Sequence, residues 1–146
     1  MNRCELADTY HKKGFNCCQS VLAAFADKTG LDEQICMDIA GGFGSGAGTG
    51  ELCGAVTGAI MTLGLMTPVD MEEPVASKKR TVALSKEFQQ RFREKFGANR
   101  CQDLLQRKLA PEEIPAGAKA LGLTGHCAIM VTTAAEIVEE MLAERN

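Results

Sequence analysis

The sequence predicts an all-α, single-domain helical bundle with an internal glycine-rich loop. Apolar residues recur at helical spacing along most of the chain, and no β-branched or aromatic run alternates with period two. Gly and Pro fall mainly where those periodic segments end. With 146 residues, the chain is long enough for one domain over its whole length, with a core that needs no disulfide staples.

The first helix spans about residues 3–13 and stops at Gly14. The second starts at Asn16, carries Val21, Leu22 and Phe25 on one side, and stops near Gly30. The third starts at about Asp32, places Ile35, Cys36 and Ile39 at i, i+1 and i+4, and ends at Gly41. The glycine-rich stretch GAGTGELCGAVTG follows, and the fourth helix runs from near Gly50 to about Leu65. Residues 66–73 form a turn, and Pro74 suits the first position of the fifth helix. In that longest helix Leu84, Phe88, Phe92 and Phe96 recur every four residues as a core stripe. Lys78, Lys79, Arg80, Lys86, Arg91 and Arg93 form a solvated face, and Gly97 is the C-terminal cap. A short sixth helix covers about Arg100 to Leu109, residues 110–124 are a connection, and the last helix runs from Gly125 or His126 to Glu144. Its inward face is Ile129, Met130, Ala134, Ile137, Val138 and Met141.

Composition narrows the function. Net charge is −3, one Tyr and no Trp are present, and no basic run is interleaved with aromatics, which argues against nucleic acid as a partner. The N-terminus lacks the apolar segment of a secretion signal, and residues 52–69 are too rich in Gly, Ala and Thr for membrane insertion. A cytoplasmic location is therefore expected. There, seven cysteines, an odd number, point to metal ligation or redox chemistry rather than to a disulfide framework.

Four of the cysteines share a position type. Asn16-Cys17-Cys18-Gln19 and Asn99-Arg100-Cys101-Gln102 both read as capping boxes. Cys53 falls in the opening of the fourth helix and Cys127 in the first turn of the last. Backbone N–H groups there lack intrahelical partners and the helix dipole is positive, so thiolate is favoured. Thiolate is the form that binds metal or attacks a disulfide. If the four helix starts converge, the chain builds a four-thiolate pocket. Gly46, Gly48 and Gly50 would bring backbone close to a ligand there, and Gly54 would keep the helix beside Cys53 bare. Gly58 and Ala59 extend that small face, which equally suits tight helix packing.

Other motifs are absent. No CxxC occurs, the glycine run is neither a P-loop nor GxGxxG, and no CxxCH is present for covalent haem. Cys17 and Cys18 point about 100° apart on a helix, so one of the two faces a shared site. Cys4 and Cys36 read as small buried hydrophobes. His126 could activate Cys127 or ligate metal, and otherwise is a partly exposed first-turn residue. His11 carries no signal.

Cys53-Gly54-Ala55-Val56-Thr57-Gly58 is a full CGAxxG motif. With Gly42-Phe43-Gly44 before it, Gly14-Phe15-Asn16-Cys17, Phe96-Gly97 followed by Cys101, and Cys127, the chain resembles the C_GCAxxG_C_C family over nearly its whole length. The resemblance implies a redox-active protein with Cys17, Cys53, Cys101 and Cys127 as its four-cysteine pattern, and it selects Cys17 over Cys18. Related domains occur within haem-containing electron-transfer proteins, a context associated with an iron–sulfur cluster.

Three functions are carried forward. The first is electron transfer by an iron–sulfur cluster on the four thiolates. The second is metal-free thiol–disulfide chemistry or redox sensing by two of them, and the third is a structural zinc module. Nothing in the pattern names the redox partner protein, and a homodimer is kept open because symmetric dimers are common.

Overall fold

Nine α-helices account for most of the described residues: α1 (Arg3–Lys12), α2 (Cys17–Ala24), α3 (Ala26–Thr29), α4 (Glu33–Ala40), α5 (Gly54–Met66), α6 (Pro74–Phe96), α7 (Cys101–Leu105), α8 (Ala116–Ala120) and α9 (His126–Glu144). The computed structural model describes residues 1–145, and no strand occurs among them. Within this all-α architecture, α2 packs chiefly on α5 and α1 on α9, with α6 closing the bundle against α5 and α9.

The aromatic stripe of α6 builds the core. Leu84, Phe88, Phe92 and Phe96 are all buried, with Phe92 and Phe96 in edge-to-face contact at 4.9 Å between ring centres. The six residues assigned to the inner face of α9 are likewise buried. Gly97 ends α6 at φ +75°, the left-handed conformation that glycine adopts without a Cβ clash.

The crossing of α2 and α5 depends on small residues. A Cβ on Gly58 would lie 2.8 Å from the Cys18 carbonyl oxygen and 3.1 Å from the Val21 Cβ. The small face of α5 beyond Gly54 is thus occupied by α2 and provides no open space for a ligand.

Several elements depart from the sequence expectation. The second helix breaks at Phe25, whose buried ring sits on a residue with φ −112° and ψ 13°. Ile35 and Ile39 of α4 face outward, and Cys36 of that trio turns in. The fourth predicted helix starts at Gly54 rather than Gly50, because residues 51–53 are extended and pair with residues 99–101. The sixth stops at Leu105, where the N–H groups of Gln106 and Arg107 bond back to the Asp103 and Leu104 carbonyls in tight three-residue turns. The 110–124 connection contains a 3₁₀ turn at Pro111–Glu113 and helix α8.

The glycine-rich stretch is the least regular part of the chain. Ser45, Gly46, Ala47 and Gly48 all have positive φ, from 55° to 75°, so the backbone makes a left-handed turn. Ser45 and Ala47 carry a Cβ there, which costs roughly 1–2 kcal/mol per residue. An i to i+5 hydrogen bond from Glu51 N–H to the Gly46 carbonyl (3.1 Å) closes the turn.

Candidate redox site

Each of the four helix starts brings its cysteine to the same place by local means. Asn16 caps α2 through a complete capping box: its Oδ1 accepts from Gln19 N–H at 2.8 Å, and Gln19 Oε1 accepts from Asn16 N–H at 2.8 Å. Cys17 is the first residue of that helix. Cys53 is the N-cap of α5 rather than a residue of its first turn, and Cys127 is the second residue of α9. Cys101 opens α7, but the second capping box is not formed. Arg100 holds the cap position without a side-chain bond, and Asn99 donates to Gln89 instead (3.0 Å).

What replaces that cap is a two-stranded clasp. Cys53 N–H donates to the Asn99 carbonyl at 2.8 Å, and Cys101 N–H donates to the Glu51 carbonyl at 2.7 Å. The two hydrogen bonds flank the antiparallel pairing of Leu52 with Arg100. They tie Cys53 to Cys101 by backbone alone, across the whole of α5 and α6. An ion pair between Arg100 and Glu51 at 3.3 Å lies on the exposed side of the clasp.

Cys17, Cys53, Cys101 and Cys127 all line one cavity of about 240 Å³. Ser45, Gly54, His11 and His126 contribute polar or small walls, and Leu104 and Met130 are among its apolar ones. Gly54 is the one of the four predicted ligand-approach glycines on the cavity wall; a Cβ there would lie 3.2 Å from the Cys17 Cβ and 3.0 Å from the Phe43 carbonyl oxygen. Gly46 is buried behind Cys101, with room for no side chain, and Gly50 packs on Gln102. Gly48 lies at the exposed edge of the loop with nothing within 4 Å of a Cβ. The loop therefore acts mainly as a support for α7.

The other cysteines lie elsewhere. Cys18 is buried with its sulfur 3.9 Å from Met61 Sδ, Cys4 faces the Thr132 carbonyl at 3.6 Å, and Cys36 faces the Leu31 carbonyl at 3.8 Å. His11 and Ser45 were not anticipated as cavity residues. The signal for Ser45 was its place in the glycine run; for His11 the sequence held none.

The thiols differ in protonation. Cys17, which lines the same cavity, holds Cys127 down to about 5, against the opposing effect of burial. His126, whose Nδ1 is 3.9 Å from that sulfur, adds to the shift. The same pairing of thiols, with burial, pushes Cys17 up. Burial raises Cys53 to about 11, offset in part by the backbone N–H groups of Ala55 and Val56 at the start of α5. Burial also raises Cys101. His126 Nε2 is buried with no hydrogen-bond partner. Among the described residues, no three His, Cys, Asp or Glu side chains are already gathered closely enough to hold one metal ion.

A direct consequence is selective alkylation. In the reduced, metal-free protein Cys127 is a thiolate above its depressed value of about 5, while Cys17 and Cys53 are protonated at neutral pH. Iodoacetamide at about pH 6 is expected to label Cys127 first, by peptide mass analysis, with the rate falling as pH drops through about 5. Preferential labelling of Cys53 or Cys17 under these conditions would contradict the assignment.

The helical bundle thus brings four free thiols from four helix starts to one cavity. The chain belongs to the C_GCAxxG_C_C family, described as putative redox-active proteins, whose sequence profile matches residues 15–141 and so takes in all four of these cysteines. No curated protein and no solved structure matches the chain significantly. No helix among the described residues is long and apolar enough to cross a membrane.

Proposed function

We propose that this protein is an electron carrier that holds an iron–sulfur cluster on Cys17, Cys53, Cys101 and Cys127. The observation that carries the reading is the convergence of these four thiols, each from the start of a different helix, on one cavity. The residues fit such a group. Four thiolates satisfy either a [2Fe–2S] or a [4Fe–4S] cluster. A cluster spreads its ligands around a core of several atoms, so it asks for a cavity between the thiols, whereas a single zinc ion asks for thiols that meet at one point. The N–H groups of Ala55 and Val56 at the start of α5 favour the Cys53 thiolate, and N–H bonds to sulfur tune a cluster's potential. The cluster would supply one-electron transfer; the chain's part is to orient the four sulfurs, wall off water with Leu104 and Met130, and fix the potential.

A second reading rests on Cys17 and Cys127 lining one cavity, with the Cys127 thiol depressed. Without metal, the Cys127 thiolate would attack a partner protein's disulfide, releasing one partner thiolate and forming a mixed disulfide. Cys17, on losing its proton, would then attack Cys127 sulfur. The result is a Cys17–Cys127 disulfide and a reduced partner dithiol, a balanced two-electron exchange.

Anaerobic purification with an absorption spectrum and iron, zinc and sulfide analysis separates the two. Brown protein with stoichiometric iron and sulfide is the expected result. Colourless, metal-free protein that fails reconstitution and forms a reversible Cys17–Cys127 disulfide would replace the first reading with the second. Stoichiometric zinc without colour would overturn both.

A further inference from the structure

A strongly apolar surface feature lies away from the cysteine cavity. A groove of about 390 Å³ runs between α4 and α6 across the end of α5, lined by Leu31, Ile39, Met61, Leu65, Val69 and Thr81 among others. Ile35 lies one turn before Ile39 on α4 and is 45% exposed, while Ile39 is 52% exposed. On α6, Thr81 lines the groove, Arg80, Ala83 and Glu87 face a different cavity toward Arg145, and Val75 and Val82 are 60% and 45% exposed. Three of the nine large exposed apolar side chains among the described residues, Ile39, Leu65 and Val69, line this one groove. An apolar face of that kind on an otherwise polar surface marks an interaction site.

The charges on its two edges identify the occupant. Helix α4 and its cap carry Asp32, Glu33 and Asp38 and no cation. Residues 74–86 of α6 carry Lys78, Lys79, Arg80 and Lys86 and no acid. Lys78, Lys79 and Lys86 make no ion pair among the described residues, nor does any of the three acids. An apolar strip with one acidic and one basic edge is self-complementary under a two-fold rotation. Turned over on itself, the acidic edge of each copy meets the basic edge of the other, and the two isoleucine–valine strips cover one another.

We propose that this face is the interface of a homodimer formed by two copies of this chain. Met61–Leu65 lies seven to eleven residues along α5 from Gly54, about 10–16 Å at the helical rise. The cysteine cavity therefore stays open to its own partner, and the proposal stands whatever cofactor that cavity holds.

The test is sedimentation equilibrium of the purified chain over a wide concentration range. The expected species has twice the 15.6 kDa chain mass and dissociates more readily at high salt. Ile39→Glu, a substitution at an exposed site, is expected to weaken association at least tenfold with an unchanged helical circular dichroism spectrum and unchanged metal content. Lys78→Glu/Lys79→Glu and Asp38→Lys should each weaken it, and mixing those two variants should restore a heterodimer, because both edges are then again paired. A chain that stays monomeric at every concentration overturns the proposal and assigns the groove to a different protein. So does a dimer indifferent to Ile39→Glu and to both charge variants.

Discussion

Serine in place of Cys127 is expected to abolish cofactor retention, taking iron and sulfide of the anaerobically purified protein to background. The four thiols serve one cavity, and a hydroxyl is a far poorer ligand than a thiolate for iron. Cys53→Ser should give the same loss, whereas Cys36→Ser should keep full iron, since Cys36 is buried beside the Leu31 carbonyl and away from the cavity. This pattern tests the convergence itself. If Cys127→Ser and Cys53→Ser both retained full iron and sulfide, the four-thiol site would be wrong. A loss in Cys36→Ser would show that the ligand set had been misassigned. In metal-free protein Cys127→Ser should also remove the rapid alkylation at mildly acidic pH, a readout that does not depend on any cluster.

Gly58→Val should be strongly destabilising. The new Cβ would overlap the Cys18 carbonyl at 2.8 Å and the Val21 Cβ at 3.1 Å, forcing α2 away from α5. Overpacking of this kind costs about 1–3 kcal/mol, and here it falls on rigid backbone, so the upper end of that range or more is expected in urea unfolding. The contrast is Gly64→Ala on the same helix. Its Cβ would meet nothing closer than Thr81 Cγ2 at 4.0 Å, so the gain in helix propensity of roughly 0.5–1 kcal/mol should appear as stabilisation. Equal tolerance at both positions would mean that α2 and α5 do not meet as closely as the structure has them.

The helices were legible because their signals are local. The four-residue aromatic repeat of α6, the Asn16–Gln19 box and the apolar face of α9 each follow from residues within a few turns of one another. The placement of Cys17, Cys53, Cys101 and Cys127 at helix starts was legible for the same reason. What escaped was set by contacts between distant segments. Nothing near Asn99 signals that Cys53 N–H will take its carbonyl, so the second capping box looked complete and the fourth helix began too early. The break at Phe25 comes without Gly or Pro and accompanies burial of its ring. Ile35 and Ile39 share a helix with buried Cys36, and spacing alone does not say that they end on the outside. The left-handed turn at Ser45–Gly48 uses two residues that ordinarily avoid it, so composition pointed to flexibility where the backbone takes one unusual path.

The backbone clasp between residues 51–53 and 99–101 also sets an order of events during synthesis. Cys53 cannot be held beside Cys101 until the intervening hairpin of α5 and α6 has left the ribosome and folded back, and Cys127 follows later still, on α9. A nascent chain thus presents its cysteines singly, with no completed receptor for an inorganic group. Any group held by all four thiols would load only once α9 had emerged, and a chain truncated before α9 would have three thiols in place and nothing to close over them.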